Sequence, residues 1–242
     1  MIRKASVDAK AFSTALDQVS KVLRKSSIPV LSEVLVAISG GQCTLTATDI
    51  ETWLFQKIPA RGDDLSFVFR KTKDVAKACR LFDGELELEF SDTGEGKYRS
   101  LTLCMRCGGR AVEFEAMAAE DYPVCAPIKA KASFTVNAAA LLKRVELVGY
   151  AAGKPASTER ATCGNVQFSG KYVFALDGTR LACDTDESLI APRPFMTYAE
   201  SLSHLRMFGD QEVTVELGER QGVITNGTAS IIFRINGVDV YP

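Results

Sequence analysis

The sequence predicts an α+β chain built as two repeated domains, each with two helices packed on antiparallel sheets. Three observations carry that prediction. A short helix running into an alternating strand occurs twice, at one fixed distance. The two halves begin and end alike. Period-two alternation of apolar and polar residues marks candidate strands throughout both halves.

The recurring block reads Asp74-Val-Ala-Lys-Ala-Cys-Arg-Leu-Phe82 followed by Glu85-Leu-Glu-Leu-Glu89. Its second copy is Glu200-Ser-Leu-Ser-His-Leu-Arg-Met-Phe208 followed by Glu212-Val-Thr-Val-Glu216. Phe82 and Phe208 are 126 positions apart, and each follows an arginine, Arg80 and Arg206, at the same offset. Ala119-Glu-Asp-Tyr-Pro123 closes the first half, and Gly237-Val-Asp-Val-Tyr-Pro242 closes the second. Ser6-Val-Asp8 and Phe134-Thr-Val-Asn137 each lead into a helix, with Asp8 and Asn137 suited to the N-cap. The predicted domains are therefore 1–126 and 127–242, joined near Pro123-Val-Cys-Ala-Pro127, where proline favours an extended connector.

Taken in order, the first helix is expected over about Ala9 to Leu23. Phe12, Leu16, Val19 and Leu23 make its apolar face. Lys10, Thr14, Asp17, Lys21 and Arg24 keep the same spacing two residues on, about 200° around the helix, and Lys25 extends the stripe. Strands follow at Leu35–Ser39 and 44–48, with Gly40-Gly41 as a hairpin turn. After Thr72 a short helix turns Val75, Cys79 and Phe82 inward and leaves Lys73, Lys77 and Arg80 on its other side. Strands are expected at 86–90 and 111–116. In the second half a helix over about 137–152 buries Leu141, Val145 and Val148, with Lys143 and Arg144 placed outside that face beside Glu146. Strands at 166–169, 213–217 and 229–235 complete the pattern, with a turn at Ser169-Gly170, and the last helix offers Arg206 alone. Charged stripes of this kind are common on solvated helices, so by themselves they leave open whether they face water or a phosphate backbone.

Composition excludes several classes. The chain has 242 residues, 46% hydrophobic and 24% charged, which is a globular profile. No window approaches the run of about 18 apolar residues that a membrane helix needs. The first residues turn polar too soon for a signal peptide, which points to the cytoplasm and to no membrane partner. The 7 cysteines are odd in number and scattered, so most of them read as small buried apolar residues, not a disulfide framework. A net charge of −1 neither demands nor excludes nucleic acid, because clustering matters and not the sum.

No catalytic, metal or cofactor constellation emerges. Gly149-Tyr-Ala-Ala-Gly-Lys-Pro155 is one residue short of a P-loop, has Pro in place of Ser/Thr, and ends a helix instead of opening one. Cys104-Met-Arg-Cys107 is a single CxxC, whereas a structural zinc site needs about four ligands. His204 is the one histidine, with no nucleophile elbow near it. Glu85, Glu87 and Glu89 alternate and read as one solvated strand face.

Three segments resemble a known family. Ile28-Pro-Val-Leu-Ser-Glu-Val-Leu35, followed by Leu45-Thr-Ala-Thr-Asp-Ile-Glu51, is similar to the first-domain signature of bacterial sliding clamps, the beta subunit of DNA polymerase III. Met117-Ala-Ala-Glu-Asp-Tyr-Pro123 resembles that family's end of domain one, and Phe174-Ala-Leu-Asp-Gly-Thr-Arg-Leu-Ala182 its domain-two strand and loop. The resemblance implies a DNA-clamp fold, with helices lining a hole and sheets outside, and a non-enzymatic processivity factor around double-stranded DNA without sequence specificity. It assigns Lys10, Lys21, Arg24, Lys25, Lys73, Lys77, Arg80, Lys143, Arg144 and Arg206 to the DNA side, with Lys154 and Arg160 in the loop after the third helix. It also implies a pocket for polymerase and clamp-loader peptides at Leu176, Gly178, Thr179, Arg180 and Leu181, with Pro242 and Thr162 as further matches.

Two departures stand out. The family's DNA-facing loop of domain two usually carries aromatic or long polar residues, whereas here it reads Ala152-Gly-Lys-Pro-Ala-Ser-Thr-Glu-Arg160, which leaves its individual DNA contacts open. The family's chains usually carry three such domains and close as dimers, whereas two domains are legible here, so a homotrimeric ring is the expectation. Other readings stay open: a paralogue or decoy that binds clamp partners without encircling DNA, a small-molecule enzyme on a duplicated α+β fold, and a piece of a longer clamp.

Overall fold

Asp8 ends one strand and starts one helix. Its backbone is extended, at φ −71° and ψ 127°, while its carboxylate accepts the amide of Ala11 at 2.8 Å. Asn137 does the same further on, accepting the amide of Ala140 at 2.9 Å. A capped helix therefore leaves the end of a sheet strand twice, as the paired N-cap residues predict.

The structure, a computed structural model, describes residues 1–94, 96–153 and 161–237. The chain divides into two compact units, Met1–Cys125 and Ala126–Pro242. In the first, β1 (Ile2–Asp8) and α1 (Ala9–Val19) are followed by β2 (Leu35–Ser39), β3 (Gln42–Thr48), β4 (Thr52–Gly62) and β5 (Leu65–Phe69). Then come α2 (Thr72–Cys79), β6 (Glu85–Thr93), β7 (Ser100–Cys107) and β8 (Arg110–Met117). The second unit repeats this order. It runs β9 (Ala132–Asn137), α3 (Ala138–Gly149), β10 (Asn165–Gly170), β11 (Tyr172–Leu176), β12 (Leu181–Thr185) and β13 (Ala191–Tyr198). It finishes with α4 (Ala199–Ser203), β14 (Glu212–Leu217), β15 (Gln221–Thr225) and β16 (Ala229–Arg234). Among the described residues no helix is long and apolar enough to cross a membrane.

All strand pairs within the units are antiparallel. In the first unit the order β1-β6-β7-β8 continues through β8–β5 into β5-β2-β3-β4, and β4 returns to β1. Its eight strands thus close on themselves. The corresponding strands of the second unit form β9-β14-β15-β16 and β13-β10-β11-β12. α1 lies on β3 and β4 beside α2, and α3 lies on β10, β11 and β12 beside α4. Phe12 of α1 meets Phe69 edge-on at 6.4 Å, and Phe67 stacks on Phe90 at 5.4 Å. In the second unit Phe168 stacks on Phe195 at 4.5 Å. The closing motif of the first half ties that unit together. Its buried Tyr122 hydroxyl reaches the carbonyls of Thr46 at 3.3 Å and Glu33 at 3.4 Å.

Several local expectations shift for physical reasons. The first helix tightens into a 3-10 turn at Ser20–Val22, where the Ser20 hydroxyl donates to the Leu16 carbonyl at 2.6 Å. Three residues per turn bring Val22 into the core and leave Leu23 half-buried. Gly40-Gly41 form the β2–β3 turn with φ of 57° and 77°, the left-handed pair that a two-residue hairpin demands. The β10–β11 turn falls on Gly170-Lys171, one residue later than expected, because Ser169 pairs with Tyr172. β13 is hidden in sequence by Pro192 and Pro194; it is an edge strand of its sheet, where missing amides are tolerated.

Gly62 lets β4 close on β1. It pairs with Ala5 at φ +107°, and a Cβ there would lie 2.4 Å from the Lys4 carbonyl oxygen. Gly62→Ala should therefore lower the unfolding free energy by about 1–3 kcal/mol, read as a shift in urea midpoint at unchanged slope.

Candidate nucleic-acid interface

Because α1 gives Phe12, Leu16 and Val19 to the sheet, its polar stripe faces away from it. α2 buries Val75 and Cys79, with Phe82 beyond its end, and leaves Lys73, Lys77 and Arg80 exposed. The two helices lie side by side, so their polar faces border one groove of about 780 Å³. Arg24, Lys25, Lys71, Lys73, Lys77 and Arg80 line it, against Asp17, Glu33 and Asp74, a formal charge of +3.

The groove is held open from its floor. Glu33 lies in the Ile28–Leu35 segment, and its Oε2 accepts the Thr72 amide at 2.5 Å, satisfying an otherwise unpaired donor at the start of α2. The Thr72 hydroxyl oxygen in turn accepts the Val34 amide at 3.1 Å. Cys79 beneath the groove is buried; desolvation, with the Asp17 carboxylate nearby, pushes its thiol up to about 12. Cys104 and Cys107 are three positions apart on β7 and so lie on opposite faces, which no shared ligand could span.

Ion pairs sort the cations. Arg24 Nε lies 3.2 Å from Asp49, Lys77 is 3.3 Å from Asp74, and Arg80 Nη2 reaches both Asp17 oxygens at 3.1 and 3.2 Å. Lys25, Lys71 and Lys73 have no carboxylate within ion-pair distance among the described residues. Lys71 was missed in sequence because it precedes the helix and breaks its spacing. Lys10 and Lys21 are exposed but do not line the groove. Lys10 sits 3.0 Å from Asp83, whose hydrogen bond raises its pKa above the ordinary lysine value.

The second unit differs in charge. Its groove between α3 and α4, about 320 Å³, is lined by Arg206 against Glu146 and Glu200, with Tyr150 and Leu142 among the rest. Arg206 is ion-paired to Glu146, and Lys143 is exposed but outside the groove. Arg144 corrects the sequence reading. It is only 4% exposed and points into the unit, its Nε 2.8 Å from Asp184 and its Nη2 2.9 Å from the Lys171 carbonyl. The reason is helical geometry: Arg144 is three residues after Leu141 and four before Val148, so it shares their buried face. Lys154 and Arg160 lie outside the described residues.

The expected peptide-binding residues sit at one hairpin. Leu176 and Leu181 pair in register across β11–β12, with Leu181 65% exposed. Between them Asp177 Oδ1 accepts the Thr179 hydroxyl at 2.8 Å and amide at 3.0 Å, and Oδ2 accepts Arg180 Nε at 2.7 Å. The Thr179 bonds foremost, then those of Arg180, hold the Asp177 carboxyl well below the usual carboxylate range. Gly178, Thr179 and Arg180 are exposed around this braced turn. Pro242 and the side chain of Thr162 lie outside the described residues.

The comparisons with known proteins fall on one family. A family model described as the DNA polymerase III beta subunit, N-terminal domain, matches residues 4–126. The chain is 22% identical to the beta sliding clamp of Pseudomonas aeruginosa over 238 residues, covering 92% of this chain and 62% of that protein. Among solved structures, the Thermotoga maritima DNA polymerase III beta subunit aligns with a TM-score of 0.78 at 22% identity, over 99% of this chain and 66% of that one. The Caulobacter crescentus beta sliding clamp aligns with a TM-score of 0.83 at 18% identity, over 100% of this chain and 67% of that one. The chain thus spans under two thirds of the curated relative's length.

Arg144 and Lys143 make a direct test of the corrected assignment. Arg144→Ala should cost about 2–4 kcal/mol in urea unfolding, since it strands Asp184 and empties a buried site. Lys143→Ala next to it should stay within about 0.5 kcal/mol.

Proposed function

The chain belongs to the DNA polymerase III beta-subunit family, and on that premise we propose that it is a sliding clamp: a non-enzymatic ring that encloses duplex DNA and tethers a polymerase to it. The single observation that supports this reading best is the groove between α1 and α2, where Lys25, Lys71 and Lys73 stand exposed without carboxylate partners among the described residues. Lysine ammonium groups attract phosphates without reading bases, so the duplex is held and free to move along its axis. The Leu176–Leu181 hairpin, with an exposed leucine beside a braced turn, is the proposed docking point for polymerase and loader peptides. No cofactor enters this role, and the proposed setting is cytoplasmic DNA replication. A ring of six such units takes three copies of a 242-residue, two-unit chain, so a homotrimer is the proposed assembly for the chain as given.

A second reading has one observation in its favour. The groove of the second unit carries one cation against two carboxylates, and that cation is paired. A paralogue that binds clamp partners without enclosing DNA would tolerate such a surface.

Topological retention separates the two. The protein is assembled on nicked circular plasmid by dilution from high salt and then passed over a sizing column. A clamp stays with the circle and leaves when the plasmid is cut once; Lys25→Glu/Lys73→Glu should reduce the retained fraction severalfold. No retention on the circle, or release indifferent to cutting, would rule out enclosure. Light scattering on the same sample should give the mass of three chains, and monomer alone at high concentration would sink the trimer.

A further inference from the structure

The same cross-helix ion pair occurs in both units. Arg80 spans the first groove to Asp17, and Arg206 spans the second to Glu146. Asp17 and Glu146 each stand nine residues after the N-caps Asp8 and Asn137, and each arginine stands two residues before Phe82 or Phe208. Both pairs line their interhelical groove, and both arginine side chains stay 62% exposed.

We infer that Asp17 and Glu146 are affinity-limiting residues, which keep Arg80 and Arg206 from gripping phosphates and so keep the clamp's hold on DNA loose. This rests on the reading that the grooves face duplex DNA. An ion pair as exposed as these adds little to stability, so stability alone does not account for its place in both grooves. Its effect on a polyanion is larger. A guanidinium is a rigid fork of donors that suits a phosphate as well as a carboxylate. With both Asp17 oxygens already on Arg80 Nη2, an arriving phosphate must displace a group of the same charge to take that donor. The displaced carboxylate then faces the backbone and repels it. A locally neutral pair also releases no net counterion, which is the main source of affinity for DNA. Attraction is left to the flexible lysines, while the paired arginines contribute little drag.

The test uses the whole 242-residue chain and fluorescence anisotropy on a short duplex, between about 50 and 200 mM salt. Asp17→Asn and Glu146→Gln should each steepen the slope of log K against log salt by about 0.9 for every additional phosphate neutralised. Binding at 0.1 M salt should tighten roughly 3–10-fold. Adding Arg80→Gln to Asp17→Asn should return the slope to that of the unmodified chain. Thermal melts run alongside separate a structural role: an early-melting Asp17→Asn chain with an unaltered slope would make the pair a strut and overturn the inference. Unaltered or shallower slopes in both well-folded variants would overturn it too. If the unmodified chain is not retained on nicked circular plasmid, it is the clamp reading that falls; if it is retained there and the variants match its salt slope, only this inference does.

Discussion

The interhelical groove follows from one requirement: each helix must bury a single apolar stripe. Phe12, Leu16 and Val19 meet it for α1, and Val75 and Cys79 for α2. Two helices that satisfy it side by side on one unit are forced to turn their remaining faces into a shared groove. Charge collects there as a consequence of packing. Neither helix alone makes the groove; it exists because α1 is anchored on the closed sheet and α2 packs beside it.

What the groove can do depends on which charges are already committed. Its six cations face three carboxylates, and the excess resides in Lys25, Lys71 and Lys73. At physiological salt the Debye length is about 8 Å, so free and paired exposed cations act mainly on charges within about that distance. The second unit shows the other balance, with Arg206 outnumbered by Glu146 and Glu200. The duplication therefore extends to element order, N-caps and cross-helix pairs, while the net charge of the groove differs between copies. A scaffold repeated for its packing has been given different surfaces, which is the ordinary freedom of solvent-facing positions.

Much of the architecture was legible in the chain because its signals are local. Asp8 and Asn137 act as caps where the residue type and the following apolar run say they should. Leu35–Ser39 is a strand at its expected limits, and Glu85–Thr93 alternates buried Leu86, Leu88 and Phe90 with outward Glu85 and Glu87. Signals that rest on geometry within a turn were blurred. Leu23 gave way to Val22 because a side-chain bond from Ser20 tightened the last turn, and Pro192 and Pro194 masked an edge strand.

By itself, then, the sequence determined the duplicated α+β plan, the inward stripes and the family, since each depends on spacing within a few residues or on contiguous motifs. Tertiary structure alone decided which cations are available. Asp17 and Arg80 are 63 positions apart, Arg144 and Asp184 are 40 apart, yet each pair is within about 3 Å in space. Periodicity says which side of a helix a charge occupies; only the packing of distant segments says what waits for it there.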